Sequence, residues 1–211
     1  MSDRTVDAAY LHYQYDDAEK LRIRIETHAR YSERTLDTFA EWLLPHVAAA
    51  PGDMLLDAGC GSGVYHRALA ANGAHIAGLD ASRGMLNEGR AQSAAAGFSI
   101  DALQGDAQAL PFRDASFDRV MANHMLYHVP DQMAALRELR RVLKPGGRIV
   151  LATNGADNLE RFDKLHRAAA ARLGYAASGS DALRFTLDDL PLVRSVFASA
   201  NVFAREDALV F

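Results

Sequence analysis

The sequence has one cysteine, Cys60, in 211 residues. A single thiol excludes an internal disulfide framework. No apolar run approaches the roughly 20 residues that a membrane-spanning helix requires. The first residues are mixed and polar, without the apolar core of a secretory leader. No long basic run is present and the net charge is −4, so no phosphate-tracking surface for nucleic acid is indicated. Internal repeats and low-complexity tracts are lacking, and the alanines from Ala168 to Ala171 read as helix. The expectation is a cytoplasmic protein with neither membrane nor nucleic acid as a partner. What is present suits one domain: 49% of residues are hydrophobic and 24% charged, enough for a full core and short for two.

The densest signal is Leu55-Leu56-Asp57-Ala58-Gly59-Cys60-Gly61-Ser62-Gly63. Met54 to Leu56 read as the end of a buried strand. Val64 to Ala71 read as a helix. A strand that turns into a helix through glycines lets a ligand approach bare backbone, because no Cβ intervenes. It also aims the helix's free N–H groups at that ligand. The spacing is D-x-G-x-G-x-G, distinct from the dinucleotide fingerprint G-x-G-x-x-G.

Ahead of this loop, Tyr10, His12, Tyr13 and Tyr15 crowd together, as a packing segment or as a lid over a pocket. Leu21, Ile25 and Ala29 have helical spacing. Ser32 is placed to cap a second helix striped by Leu36, Phe39, Ala40 and Leu43, closed by Pro51-Gly52. Arg30 and Tyr31 lie at the joint between the two.

After the loop, His75 to Asp80 read as a second strand. Asp80 falls about 20 residues beyond the glycines, where an acid holds ribose hydroxyls in nucleotide-binding βαβ units. Ser82 caps the next helix and Gly97 ends it. Phe98 to Leu103 form a third strand, followed by Gly105-Asp106-Ala107. Ser116 to Asn123 form a fourth, followed by His124-Met125-Leu126-Tyr127-His128-Val129-Pro130-Asp131. His124 and His128 are four apart, but no third ligand of suitable spacing joins them as a metal site. Asp131 caps a helix whose inner face is Ala135, Leu136, Leu139, Val142 and Leu143. Lys144-Pro145-Gly146-Gly147 turn into a fifth strand, Arg148 to Ala152. Asn158 to Leu173 read as a helix with Leu159, Phe162, Leu165, Ala169 and Leu173 inward. Gly174 to Asp181 read as a loop and Thr186 to Phe197 as a last helix. Asn201–Arg205 and Asp207–Phe211 are expected to form a final antiparallel pair.

Taken together, the D-x-G-x-G-x-G loop, Asp80, Gly105-Asp106-Ala107 and "RVLKPGGRIVLAT" resemble, in the same order, the motifs of the class I S-adenosylmethionine-dependent methyltransferases. The run "LPFRDASFDRV" resembles the family's small-molecule branch. The resemblance covers about residues 50–155 most closely. It implies an α/β, Rossmann-like, doubly wound fold. Its sheet would have seven mostly parallel strands with an antiparallel last strand. Residues 1–48 would form a helical extension and 49–211 the core of a single domain. It implies S-adenosylmethionine as cofactor, S-adenosylhomocysteine as product and a small-molecule methyl acceptor with an O, N or C nucleophile.

Carried over residue by residue, the resemblance assigns the cofactor to Asp57, Gly59, Cys60, Gly61 and Gly63. Asp80 takes the ribose. Ala81 and Met85 flank the adenine, with plain core as the alternative for Met85. Asp106 and Ala107 meet the adenine amino group. Asn123 lines the cleft. Arg30 could pair with the carboxylate of the amino-acid moiety, with Tyr31 beside it. His128 is the favoured general base, with His124, His28 and His12 also available, if the acceptor must lose a proton. Two other readings stay open: a partner protein that binds the cofactor without transferring methyl groups, and an NAD(P)-dependent oxidoreductase. The oxidoreductase accounts for only the first glycines and Asp80.

Overall fold

The computed structural model describes residues 19–33, 37–158, 160–175 and 184–207. Five strands form one sheet: β1 (Met54–Ala58), β2 (His75–Asp80), β3 (Asp101–Gln104), β4 (Phe117–Asn123) and β5 (Leu143–Ala152). Their spatial order is β3-β2-β1-β4-β5, and every neighbouring pair is parallel. The strands near the centre read as apolar runs because parallel sheets are covered on both faces.

Alternate residues of β1 and β4 enter opposite layers. Leu55 and Met121 pack with Leu43 and Val47 of α2 (Phe39–Val47) and with Leu69 of α3 (His66–Ala71). Leu56 and Val120 pack with Leu139 and Val142 of α5 (Gln132–Val142). Two further helices, α1 (Glu19–Tyr31) and α4 (Arg83–Ala95), precede β1 and follow β2 respectively. The chain winds outward from β1 to β3, then returns to β4 on the other side of β1. That reversal opens a crevice at the carboxyl ends, where open α/β sheets bind ligands.

The inner face of α5 is the one its sequence spacing predicts: Ala135, Leu136, Leu139 and Val142 are buried. Asp131 caps it, accepting from Ala134 N–H at 2.9 Å. The Lys-Pro-Gly-Gly turn is present as an irregularity in β5. Leu143 pairs with Phe117 and Arg148 with Arg119, and the intervening residues loop out with Gly146 at φ +76°. Asp118 is structural. Its carboxylate accepts from Met54 N–H at 3.0 Å and from the Lys144 ammonium at 2.8 Å.

Several expectations need correction. Among the described residues the sheet has five strands, not seven, and Asn201 to Asp207 form no strand; Ala208 to Phe211 lie outside the described residues. The second helix is capped by Thr38, not Ser32. Thr38 and Glu41 make a reciprocal capping box, while the Ser32 hydroxyl donates to Asp207 at 2.6 Å. The third strand starts at Asp101 rather than Phe98.

The helix over Asn158 to Leu173 is α6 (Glu160–Arg172), and its apolar stripe faces outward. Phe162, Leu165 and Leu173 are exposed, and only Ala170 is buried. Helical periodicity shows that residues share a face, not that anything covers it. The last helix divides into a short 3-10 turn, Leu187–Asp189, and α7 (Leu190–Val196), with Pro191 in the first turn of α7. Tyr10, His12, Tyr13, Tyr15, Leu36 and Leu159 lie outside the described residues.

Candidate active site at the carboxyl ends of the strands

The β1–α3 loop folds onto the end of β2. Gly59, Gly61 and Gly63 all have positive φ, at +71°, +54° and +79°. Gly59 and Cys60 N–H both donate to the Leu79 carbonyl, at 2.7 and 3.1 Å. Gly61 N–H donates to Asp80 Oδ2 at 2.8 Å, and Ser82 N–H donates to Asp80 Oδ1 at 2.8 Å. Gly63 N–H donates to the Cys60 carbonyl at 2.9 Å. These N–H groups hold the loop's own shape. What the loop presents to a ligand is the bare Cα surface that its glycines imply.

Burial raises the Asp80 carboxyl above its ordinary range, opposed by the N–H bonds from Ser82 and Gly61. Each carboxylate oxygen has two acceptor sites, so Asp80 can take further donors, such as a pair of hydroxyls.

Asp57 and Gly63 have a different explanation from the one the motif suggests. Asp57 is 2% exposed and its Oδ2 lies 3.1 Å from His66 Nε2, itself 2% exposed. Its carboxylate braces β1 against α3. A Cβ on Gly63 would stand 2.4 Å from His66 Nδ1. The third glycine is thus demanded by a neighbouring imidazole. Sequence reading missed His66, because a lone histidine in a first helical turn carries no signal. A Cβ on Gly59 would fall 2.6 Å from Met125 Cβ, so the loop presses against the exit of β4. Cys60 is buried, and burial together with the Asp57 and Asp80 carboxylates pushes its thiol pKa up.

The remaining candidates divide. Ala81 is exposed beside Asp80, whereas Met85 is 1% exposed and among the buried hydrophobic residues. Asp106 is exposed, and Gln108 donates to both its oxygens, at 3.0 and 2.9 Å from the side-chain amide. Ala107 beside it is buried. Arg30 lies at the end of α1 with its guanidinium 5.4 Å from the centre of the Tyr31 ring. His128 ends a 3-10 turn, Leu126–His128, with its ring 4.5 Å from that of Tyr127. α1 reaches the loop itself: Leu21 Cδ2 is the nearest neighbour of the position a Gly61 Cβ would take, at 3.6 Å.

The end of β4 is unlike the rest. Asn123 is 8% exposed, and both its side-chain oxygen and nitrogen are buried without a hydrogen-bond partner among the described residues. A buried amide left unpaired costs about 1–3 kcal/mol. His124 follows in the left-handed region, φ +54°, its N–H donating to the Ala152 carbonyl at 2.8 Å. Its ring lies 5.2 Å from that of Phe39. Burial, and then the neighbouring His28, lower its pKa to about 4.

Residues 56–151 match a family model described as a methyltransferase domain. That match covers under half of this chain. A malonyl-[acyl-carrier protein] O-methyltransferase of Erwinia pyrifoliae is 45% identical over 115 residues, 54% of this chain and 42% of that protein. A demethylmenaquinone methyltransferase of Clavibacter sepedonicus is 45% identical over 105 residues, 50% of this chain and 42% of that one. The matched segment thus spans under half the length of either relative. The crystal structure of an S-adenosylmethionine-dependent methyltransferase from Aquifex aeolicus has a TM-score of 0.62 at 16% identity, covering 85% of this chain and 86% of that one. At that identity the likeness is one of fold.

Among the described residues no helix is long and apolar enough to cross a membrane. No group of three or more His, Cys, Asp or Glu side chains is arranged to hold a metal.

Proposed function

We propose that this chain binds S-adenosylmethionine at the carboxyl ends of β1, β2 and β4 and transfers its methyl group to a small-molecule acceptor. The observation that carries this reading is Asp80. Its carboxylate is the point at which the glycine loop and the start of α4 are both tied, through Gly61 and Ser82 N–H. A ribose at Asp80 would put the adenine towards Ala81 and the Asp106–Ala107 corner. The amino-acid moiety would then lie over the bare backbone of Gly59 and Gly61. The unpartnered Asn123 amide fits a ligand with both a donor and an acceptor to offer. Arg30, at the end of α1, would supply a guanidinium for the amino-acid carboxylate, with Tyr31 beside it.

The cofactor supplies an electrophilic methyl carbon when bound. The chain's part is alignment and exclusion of water. Positioning alone supplies on the order of 7–11 kcal/mol of such a barrier. Leu21 of α1 lies beside Gly61 and Phe39 of α2 beside His124, and an aromatic face such as that of Tyr127 would suit a sulfonium charge.

The test is calorimetric titration with S-adenosylmethionine and S-adenosylhomocysteine, with NAD and NADPH as controls. One-to-one binding of the two adenosyl compounds alone is the expected result. Binding of the nicotinamides instead would overturn it in favour of an oxidoreductase. Binding of the adenosyl compounds with no methyl transfer to any acceptor, together with activation of a partner enzyme, would favour the non-catalytic reading.

A further inference from the structure

Three non-glycine residues among those described adopt positive φ: Ala48, Ala115 and His124. Ala48 ends α2, and Ala115 precedes β4. His124 is the one at the crevice, and a residue bearing a Cβ in that conformation costs roughly 1–2 kcal/mol over an extended backbone. Strain of this kind persists where the surroundings impose it, and it clusters where ligands act. Here the surroundings are identifiable. The Ala152 carbonyl of β5 holds the His124 N–H at 2.8 Å. Phe39 of α2 sets the ring from one side at 5.2 Å. His28 of α1 is close enough to act on it electrostatically. The groups set against the imidazole are thus a second imidazole and a phenyl ring, while the peptide carbonyl holds the backbone. The result is a half-buried histidine, neutral at pH 7, at the mouth of β4 beside the unpartnered Asn123.

Resting on the methyl-transfer reading above, we infer that His124 is a catalytic residue that receives the proton of an acceptor whose nucleophile is a neutral O–H or N–H. The acceptor's lone pair forms the bond to the methyl carbon. The carbon–sulfur bond breaks with its electron pair going to sulfur. The acceptor's proton passes to the unprotonated ring nitrogen of His124. The positive charge lost at sulfur reappears on the imidazole. The surroundings that keep the ring neutral then return that proton to water and reset the site. The assignment separates this chain from enzymes whose acceptors arrive as carboxylates or thiolates, which need no base. It also moves the role from His128, whose ring is turned against Tyr127, to a residue four positions earlier.

S-adenosylmethionine and S-adenosylhomocysteine differ by one methyl group and one positive charge, so a side chain facing the methyl must distinguish them. Histidine-labelled protein is compared by NMR at pH 7 in the two complexes, with resonances assigned from the His124→Gln and His128→Gln variants. The expected result is that the His124 ring signals differ most between the complexes. His124→Gln should bind both compounds within about threefold of the unaltered chain. Binding of both compounds with identical His124 signals, or with the larger difference at His128, overturns the inference and leaves cofactor binding intact. Failure to bind either compound overturns the underlying reading instead. For the proton, S-adenosylhomocysteine formation is followed with a panel of phenols, alcohols and amines. General-base removal should lower kcat about a hundredfold or more in His124→Gln at unchanged KM; an unchanged kcat overturns the base role.

Discussion

The end of β1 and the end of β4 face the same crevice and are built on opposite plans. At the end of β1 the Gly59, Cys60, Gly61 and Gly63 N–H groups and the Asp80 and Asp57 carboxylates are engaged within the chain, and His66 Nδ1 is the buried atom left without a partner there among the described residues. At the end of β4 an amide has no partner and the next residue sits in a strained conformation. The first region holds its shape without a ligand. The second joins an unpartnered side-chain amide to a left-handed backbone at the mouth of the crevice. A sheet can therefore divide one site into a part made for stability and a part made for chemistry.

The largest effect expected from that contrast is at acid pH. The folded pKa of His124 is lowered from 6.5 to about 4 by burial and by His28. The unfolded chain therefore takes up this proton first as pH falls. The contribution is complete above about pH 6.5 and is lost progressively down to about pH 4. Its size is roughly 3 kcal/mol. Urea unfolding across that window should show a steep fall in stability, and His124→Phe should flatten it. Equal slopes would mean that β4 is no more strained than β1.

Next in size is the β1 loop. Gly63→Ala places a Cβ 2.4 Å from His66 Nδ1 at φ +79°, costing about 2–3 kcal/mol. Combining it with His66→Ala should recover part of the loss. Full additivity in a double-mutant cycle would show that the imidazole is not what the glycine accommodates.

Smaller, and of opposite sign, is Asn123→Leu. Removing a buried unpaired amide while keeping the branched shape should raise stability by about 1 kcal/mol and weaken S-adenosylhomocysteine binding. A fall in both would place Asn123 with the self-satisfied loop. Smallest is Asp118→Ala, far from the crevice. Its ion pair with Lys144 is partly exposed and worth under about 1 kcal/mol, with cofactor affinity unchanged.

The same contrast governs what the sequence reveals. The five parallel strands were legible because buried strands are apolar runs and the turns carry Gly, Pro, Asp or Ser. Asp80 was legible because its distance from the glycines is set by the length of one βα crossover. The role of Asp57 was not, because it depends on His66, which the fold brings beneath the loop. Met85 has the same apolarity whether it meets an adenine or the core. The outward face of α6 was misread because spacing gives the stripe and not its cover. Strain at His124 leaves no trace in residue order, since a backbone angle is set by the strands on either side.

The most direct measurement is the affinity of S-adenosylhomocysteine for the unaltered chain and for Asp80→Ala, by calorimetry at fixed pH. Losing hydrogen bonds to a charged group costs about 1–3 kcal/mol. The account predicts one-to-one binding that weakens roughly 5- to 150-fold in the variant. Equal affinities would contradict it, because they would remove the nucleoside from the one residue that joins the glycine loop to the end of β2.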